Sequence, residues 1–183
     1  FFEDVRVPKK NRVGKENEGW SVAKYLLEFE RFSMSSVEIR RVLARVEKLA
    51  NQTDADGTRL MDVSSFTQEL ARLKVDADAL EVSEQRVLAN LSAGMPPGSA
   101  SSIQMARGSE IQQRADMLGV EAAAYYASPL QPEALELGTN RPPVGPELAV
   151  TLMPAYLSNR MRTIAGGSSE IQRNIIAKAV LGM

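Results

Sequence analysis

From Phe66 onward the apolar positions recur at steps of 4, 3, 4, 3, 7 and 4, through Leu70, Leu73, Ala77, Leu80, Val87 and Leu91. That is the spacing of a helix packing one face along bundle neighbours. It predicts a helix starting at Ser64 or Ser65, with Gln68 three residues after Ser65 as a capping box. An earlier pattern, about Trp20 to Gln52, turns Ala23, Leu27, Met34, Val37, Val42, Val46 and Leu49 inward. A third runs from Ser99 to about Tyr126 through Ile103, Ile111, Leu118 and Ala122, after the break Gly94-Met-Pro-Pro-Gly98. Pro129, Pro132, Pro142, Pro143 and Pro146 then mark a long irregular loop, because proline is excluded from helix interiors. The fourth helical region, Glu147 to Met183, is interrupted by Pro154 and by Gly166-Gly167. At the other end, Phe1 to Pro8 alternates apolar and charged residues and predicts a short strand. One strand makes no sheet, so it belongs to a domain outside this sequence or lies extended on the helices. The expected fold is all-α: an antiparallel, up-down-up-down four-helix bundle with a short N-terminal strand remnant.

Composition narrows the chemistry. Lys plus Arg number 22 against 23 for Asp plus Glu, which gives no basic excess for nucleic acid. Without Cys there is no disulfide, thiolate or Cys-based metal site, and without His any proton transfer falls to a carboxylate, Lys or Tyr. No apolar run approaches the ~20 residues of a membrane span. The chain opens on Phe1 without a Met, as a fragment would. No G-x-G-x-x-G, no G-x-x-x-x-G-K and no metal-ligand cluster occurs, so a nucleotide would have to be held by helix ends.

The run Gly166-Gly-Ser-Ser169 places two glycines directly before a polar helix start. Glycine tolerates positive φ or close approach of a ligand, Ser168 and Ser169 are N-cap types, and the first amides of such a helix suit a phosphate, a ribityl hydroxyl or a developing oxyanion. The same run also serves as a plain helix connection. Within the first helical pattern, Trp20, Ala23, Leu27, Glu30, Met34 and Val37 follow steps of 3, 4, 3, 4 and 3, which puts Glu30 on the apolar seam. A carboxylate desolvated there has the raised pKa of a general base; at the seam's edge it reaches water or pairs with Arg. Arg31 and Glu28 flank it. The polar start of the third helix, with Ser102, Gln104, Glu110, Gln112 and Gln113, is expected to be a solvated face, and Tyr125-Tyr126 to serve packing.

Both ends of the chain resemble the acyl-CoA dehydrogenase family, flavoenzymes that introduce an α,β double bond into acyl-CoA thioesters. Phe1-Phe-Glu-Asp-Val-Arg-Val-Pro8, Asn11-Arg-Val-Gly14 and Glu18-Gly-Trp20 look like the family's exit from its central β-domain, and Arg162 to Gly182 like its final helix pair. Ala23-Lys-Tyr-Leu-Leu27, Ser101 to Gln113 and Gly166 to Ile176 are similar to the large-subunit branch typified by pimeloyl-CoA dehydrogenase. The resemblance implies that residues 1–16 are the end of a middle β-domain with its linker and 17–183 a C-terminal four-helix-bundle domain. It further implies FAD as cofactor, an acyl-CoA substrate, an electron-transfer flavoprotein as partner, a homo- or hetero-tetramer, and a cytoplasmic enzyme that binds neither nucleic acid nor membrane and whose fragment is inactive alone.

The family's commonest base precedes its E-G-T/S hydroxyl by two residues, a place held here by Gly166. Some members carry the base in an E-R pair on the first bundle helix, which falls on Glu30-Arg31. By resemblance, Glu30 is then the base and Arg31 contacts the CoA side, with Glu28 beside them as a further expected substrate-binding residue. Gly167 lies against the substrate, Ser168, Ser169 and Glu170 approach the flavin, and the Gly166 amide serves as an oxyanion donor. Two departures stand out: the flavin-clamping R-x-x-F-G is replaced by Thr53-Asp-Ala-Asp-Gly57, and the Gly-Gly ending the third helix reads Gly119-Val120. Both positions ordinarily hold the ADP part of FAD across a subunit interface. A second reading follows from them: a non-catalytic bundle subunit of a heteromeric acyl-CoA dehydrogenase.

Overall fold

The structure, a computed structural model, describes residues 1–32, 34–54 and 56–183. Its helices are α1 (Gly19–Glu30), α2 (Ser35–Ala50), α3 (Ser64–Ser92), α4 (Ala100–Ala123), α5 (Leu152–Ser158) and α6 (Ser169–Val180), with 3₁₀ turns between several of them. Among the described residues there is no strand, only an isolated bridge between Thr53 and Arg59.

Side-chain pairing fixes the directions. Glu84 meets Ser36 while Lys74 meets Glu47, so α3 runs against α2. Gln104 meets Ser83 while Arg114 meets Glu69, so α4 runs against α3. Leu152 packs at Gly119, Asn159 bonds Asp116 and Arg162 bonds Ser109, so the returning α5–α6 region descends along α4. This is the expected up-down-up-down bundle, with its fourth member in two pieces. The α3 stripe is its keel: Phe66, Leu70, Leu73, Ala77, Leu80 and Val87 are buried, all but Val87 in one core with Ile39, Leu43 and Val46 of α2 and Ile111, Ala115 and Leu118 of α4. Burying each large side chain stabilises by about 1.5–3 kcal/mol. A smaller cluster of Leu49, Ala123, Ala127, Ala149 and Leu152 closes the other end.

Several sequence expectations are corrected. The first long helix is two: α1 ends at Glu30, and α2 begins at Ser35 after a Met34 N-cap with ψ 63°. The steps from Trp20 to Val37 therefore lie on no single helix, and no residue of α1 is buried. Phe1 to Pro8 is exposed throughout and neither pairs as a strand nor lies on the helices, since the described residues offer it no sheet edge. The capping box fails because Ser64 is already helical: the N-cap is Val63, and Gln68 Nε2 donates to Ser64 Oγ instead. Pro154 does not break the fourth region, since it sits in the first turn of α5, where backbone N–H groups have no intrahelical acceptor. The polar start of α4 is not a solvated face: Ser101, Ser102, Gln104, Ser109 and Gln112 are buried. The loop after Ala127 is irregular as expected, and Gly145 at positive φ lies flat against the Tyr126 ring.

Candidate active site

The glycine turn entering α6 has φ +70° at Gly166 and +108° at Gly167, conformations that side-chain-bearing residues avoid. Ser168 then caps the helix, its hydroxyl accepting from the Ile171 amide at 3.5 Å and its carbonyl from the Gln172 amide at 3.0 Å. Ser169 Oγ donates to the Thr163 carbonyl. The exposed Glu170 carboxyl is held below its ordinary pKa by its own backbone amide first, then by the Ser168 hydroxyl and Arg173. Gly167 N–H closes on Ile164 O, whereas the amides of Gly166, Ser168 and Ser169 donate to no other group among the described residues. Three such amides at the positive end of a helix macrodipole favour an anion or a developing negative charge.

A buried polar chain fixes the approach to this turn, and it was not foreseen. Gln112 Nε2 donates to Asp116 Oδ1, Asn159 Nδ2 donates to Asp116 Oδ2, and Arg162 Nε donates to Asn159 Oδ1, all at 2.8–3.0 Å. Ser109 Oγ donates to the Arg162 carbonyl at 3.0 Å. The signal available was the i,i+4 pair Gln112 and Asp116 among apolar neighbours Ile111, Ala115 and Leu118.

On α1 the geometry departs from the seam argument. Glu30 is the last residue of the helix and is exposed. Arg31, at the C-cap, is half-buried, and its Nε is shielded from solvent with no hydrogen-bond partner among the described residues. Glu28 accepts from the Gly98 amide at 3.2 Å, tying α1 to the turn between α3 and α4. The desolvated carboxylates of the bundle are instead Glu84, fully buried, and the Asp116 described above. Glu84 stands on the α3 seam. It accepts from the Ser36 amide at 3.2 Å and from the Ser36 hydroxyl in a short bond, and so caps α2 from a neighbouring helix. The seven-residue step from Leu80 to Val87 concealed it, because Glu84 fills the missing position of the 4, 3 alternation.

The two nucleotide-clamp positions have other duties. In the Thr53–Gly57 run, of which Ala55 lies outside the described residues, Asp54 accepts from the amides of Asp56 and Thr58 and from the Thr58 hydroxyl at 2.7–3.0 Å. Those bonds, the Thr58 hydroxyl foremost, hold the Asp54 carboxyl below its ordinary pKa and keep it anionic. The turn carries an anion, and Arg59, which bridges to Thr53, is engaged by Asp62, so the turn is unsuited to a pyrophosphate. At Gly119 a Cβ would stand 3.0 Å from Leu152 Cδ2 and 3.4 Å from Val46 Cγ2, so this glycine makes room for α5. The described residues thus offer unpartnered amides at the α6 start and no cationic clamp in the Thr53–Gly57 run or at Gly119. They contain no cluster of acidic side chains that could hold a metal ion, and no helix long and apolar enough to cross a membrane.

Comparison with known proteins agrees with this architecture. The family described as "Acyl-CoA dehydrogenase, C-terminal domain" matches residues 17–181. Acyl-CoA dehydrogenase FadE26 of Mycobacterium tuberculosis is 32% identical over the whole chain, which spans 44% of that protein. The rat mitochondrial long-chain specific acyl-CoA dehydrogenase is 25% identical over 99% of the chain and 39% of its own length. Among solved structures, the ChsE4-ChsE5 complex from Mycobacterium tuberculosis superposes with TM-score 0.79 at 32% identity, covering 100% of this chain and 45% of that one. Butyryl-CoA dehydrogenase from Megasphaera elsdenii shares the fold, with TM-score 0.76 at 21% identity, over 98% of this chain and 43% of that one. The chain therefore spans less than half the length of these relatives, and it belongs to the acyl-CoA dehydrogenase family, as its C-terminal helical domain.

Proposed function

We propose that this domain is part of an FAD-dependent acyl-CoA dehydrogenase that removes hydrogen from Cα and Cβ of an acyl-CoA thioester. Residues 1–16 are then the exit from a middle β-domain and 17–183 the bundle. The observation that carries this reading is the Gly166-Gly167 turn with its unpartnered amides at the start of α6. In it, the Gly166 amide donates to the thioester oxygen as negative charge builds there, while the Glu30 carboxylate takes the α-proton. The bound flavin supplies the acceptor for the β-hydrogen and its electron pair. Gly167 lies along the acyl thioester, Arg31 faces the CoA side with Glu28 anchoring its helix, and Ser168, Ser169 and Glu170 face the flavin. Exposure of Glu30 and of α1 in this domain accords with a site completed by other parts of the protein. An electron-transfer flavoprotein as oxidant, a tetrameric assembly and a cytoplasmic location complete the proposal.

The test is Glu30→Gln in the full-length protein with its flavin. Flavin reduction by acyl-CoA should slow at least ~10²-fold with binding preserved, the size of a lost general base. An unchanged rate makes Glu30 a structural carboxylate. In that event the second reading gains, a non-catalytic bundle subunit of a heteromer, which the anionic Asp54 turn and the packing role of Gly119 favour. The likeness to one chain of a two-component complex points the same way. Flavin stoichiometry of the purified assembly separates the two: full occupancy of every bundle subunit contradicts the heteromer with partial sites.

A further inference from the structure

Gln172 is fully buried in the first turn of α6, five and six residues beyond the glycines, yet its side chain reaches back to them. Its Nε2 donates to the carbonyl of Gly166 at 3.3 Å and to that of Gly167 at 3.0 Å. Its Oε1 is buried without a partner among the described residues. A Cβ on Gly167 would stand 2.8 Å from Nε2, so the glycine is what lets the amide approach. On the other side, Met105 Cε lies 2.5 Å from where a Gly166 Cβ would be.

We infer that Gln172 is a positioning residue that holds the peptide planes of this turn so that the Gly166 amide meets the reacting oxygen while the Ser168 amide turns to the flavin side, an inference that rests on the dehydrogenase reading above. A trans peptide holds C=O and N–H antiparallel. Drawing the Gly167 carbonyl toward Gln172 therefore turns the Ser168 N–H to the opposite side of the turn, and drawing the Gly166 carbonyl the same way sends Gly167 N–H to Ile164 O. The Gly166 N–H, at φ +70°, has no acceptor among the described residues and is left free for a ligand once these planes are held. Only a side chain that donates at this length serves. A Glu carboxylate would set an anion against two carbonyl oxygens, and Leu would leave both carbonyls unpaired. Donors that stabilise a developing oxyanion act through preorganisation, so freeing the turn weakens them even though Gln172 never touches substrate.

The experiment compares native full-length holoprotein with Gln172→Leu and Gln172→Glu, using an acyl-CoA labelled with ¹³C at the thioester carbonyl. Hydrogen bonding from Gly166 lowers the bound carbonyl's infrared stretch in the native protein. In Gln172→Leu that band should return toward its solution frequency, and flavin reduction should slow about 10-fold or more with KM nearly unchanged. Should the apolar variant fail to assemble, Gln172→Glu carries the test: its band should lie at the solution frequency at neutral pH and shift back on acidification, as the carboxyl gains a proton to donate. A variant that binds acyl-CoA with the native carbonyl frequency overturns the inference. Absence of both band shift and flavin reduction in the native protein overturns the dehydrogenase reading, and this inference with it.

Discussion

The α3 stripe and the face of α1 are written in the same alphabet of aromatic and aliphatic residues at helical spacing, yet one is sealed and the other bare. Leu73 is 0% exposed, while Trp20 is 70% exposed and Tyr25 67%. The carboxylates differ in the same way: Glu84 is enclosed and holds the start of α2, whereas Glu30 ends α1 in the open. Periodicity tells that a helix has an apolar face, and only the neighbouring elements tell what covers it. A carboxylate within a bundle's own seam is committed to structure; one on a helix the bundle leaves uncovered is available to chemistry.

The largest effect should separate the two faces directly. Phe66→Ala on α3 should lose about 3–5 kcal/mol of stability in denaturant titration, while Leu26→Ala on α1 should stay within about 0.5 kcal/mol. Comparable losses at both sites would erase the distinction. Next comes the carboxylate pair: Glu84→Ala strands the Ser36 amide and hydroxyl and should cost about 1–3 kcal/mol for each group left unpaired, whereas Glu30→Gln should not move the unfolding midpoint. A silent Glu84→Ala would mean that water replaces the carboxylate at the start of α2.

A smaller change tests the turn. Gly166→Glu places a side chain at φ +70° against Met105 and should destabilise by about 1–2 kcal/mol. Restoring the family's common carboxylate there should accordingly fail to rescue Glu30→Gln; a rescued rate would show that the turn yields. The smallest effect is electrostatic. Because the folded Glu170 carboxyl sits below its ordinary value, its contribution is present above the unfolded pKa of about 4.3 and is lost as pH falls through the lower folded value. The small Tm difference between native protein and Glu170→Gln should therefore close on acidification, and a difference independent of pH would assign it to something other than charge.

Much of this was legible in the chain. The alternation from Phe66 to Leu80 gave the keel, and Gly166-Gly167 before two serines gave the helix-start geometry, because both signals are local and carried by residue type. What was not legible is where helices meet. The end of α1 at Glu30 and the start of α2 at Ser35 have no proline or glycine between them to announce the change, and the start of α2 is held from α3 by Glu84, 48 residues beyond Ser36. The buried polar face of α4 likewise looked solvated, because Gln112 and Ser109 find their partners within α4 and in the returning chain around Arg162 and Asn159. Gln172 looked like an ordinary helix residue, since a contact to carbonyls five and six residues back depends on a turn that sequence spacing does not describe.

The seating of Leu152 over Gly119 has a consequence for how the chain tolerates insertions. The same helix α4 that offers Gly119 to Leu152 offers Ser109 to Arg162 and Met105 to Gly166, so it serves as a ruler about 21 Å long at 1.5 Å per residue. An extra residue between Leu152 and Gly166 would fall between two fixed marks and rotate the turn about its helix by roughly 100°. An extra residue near Gly138, in the exposed loop before the first mark, would be absorbed without reaching the second.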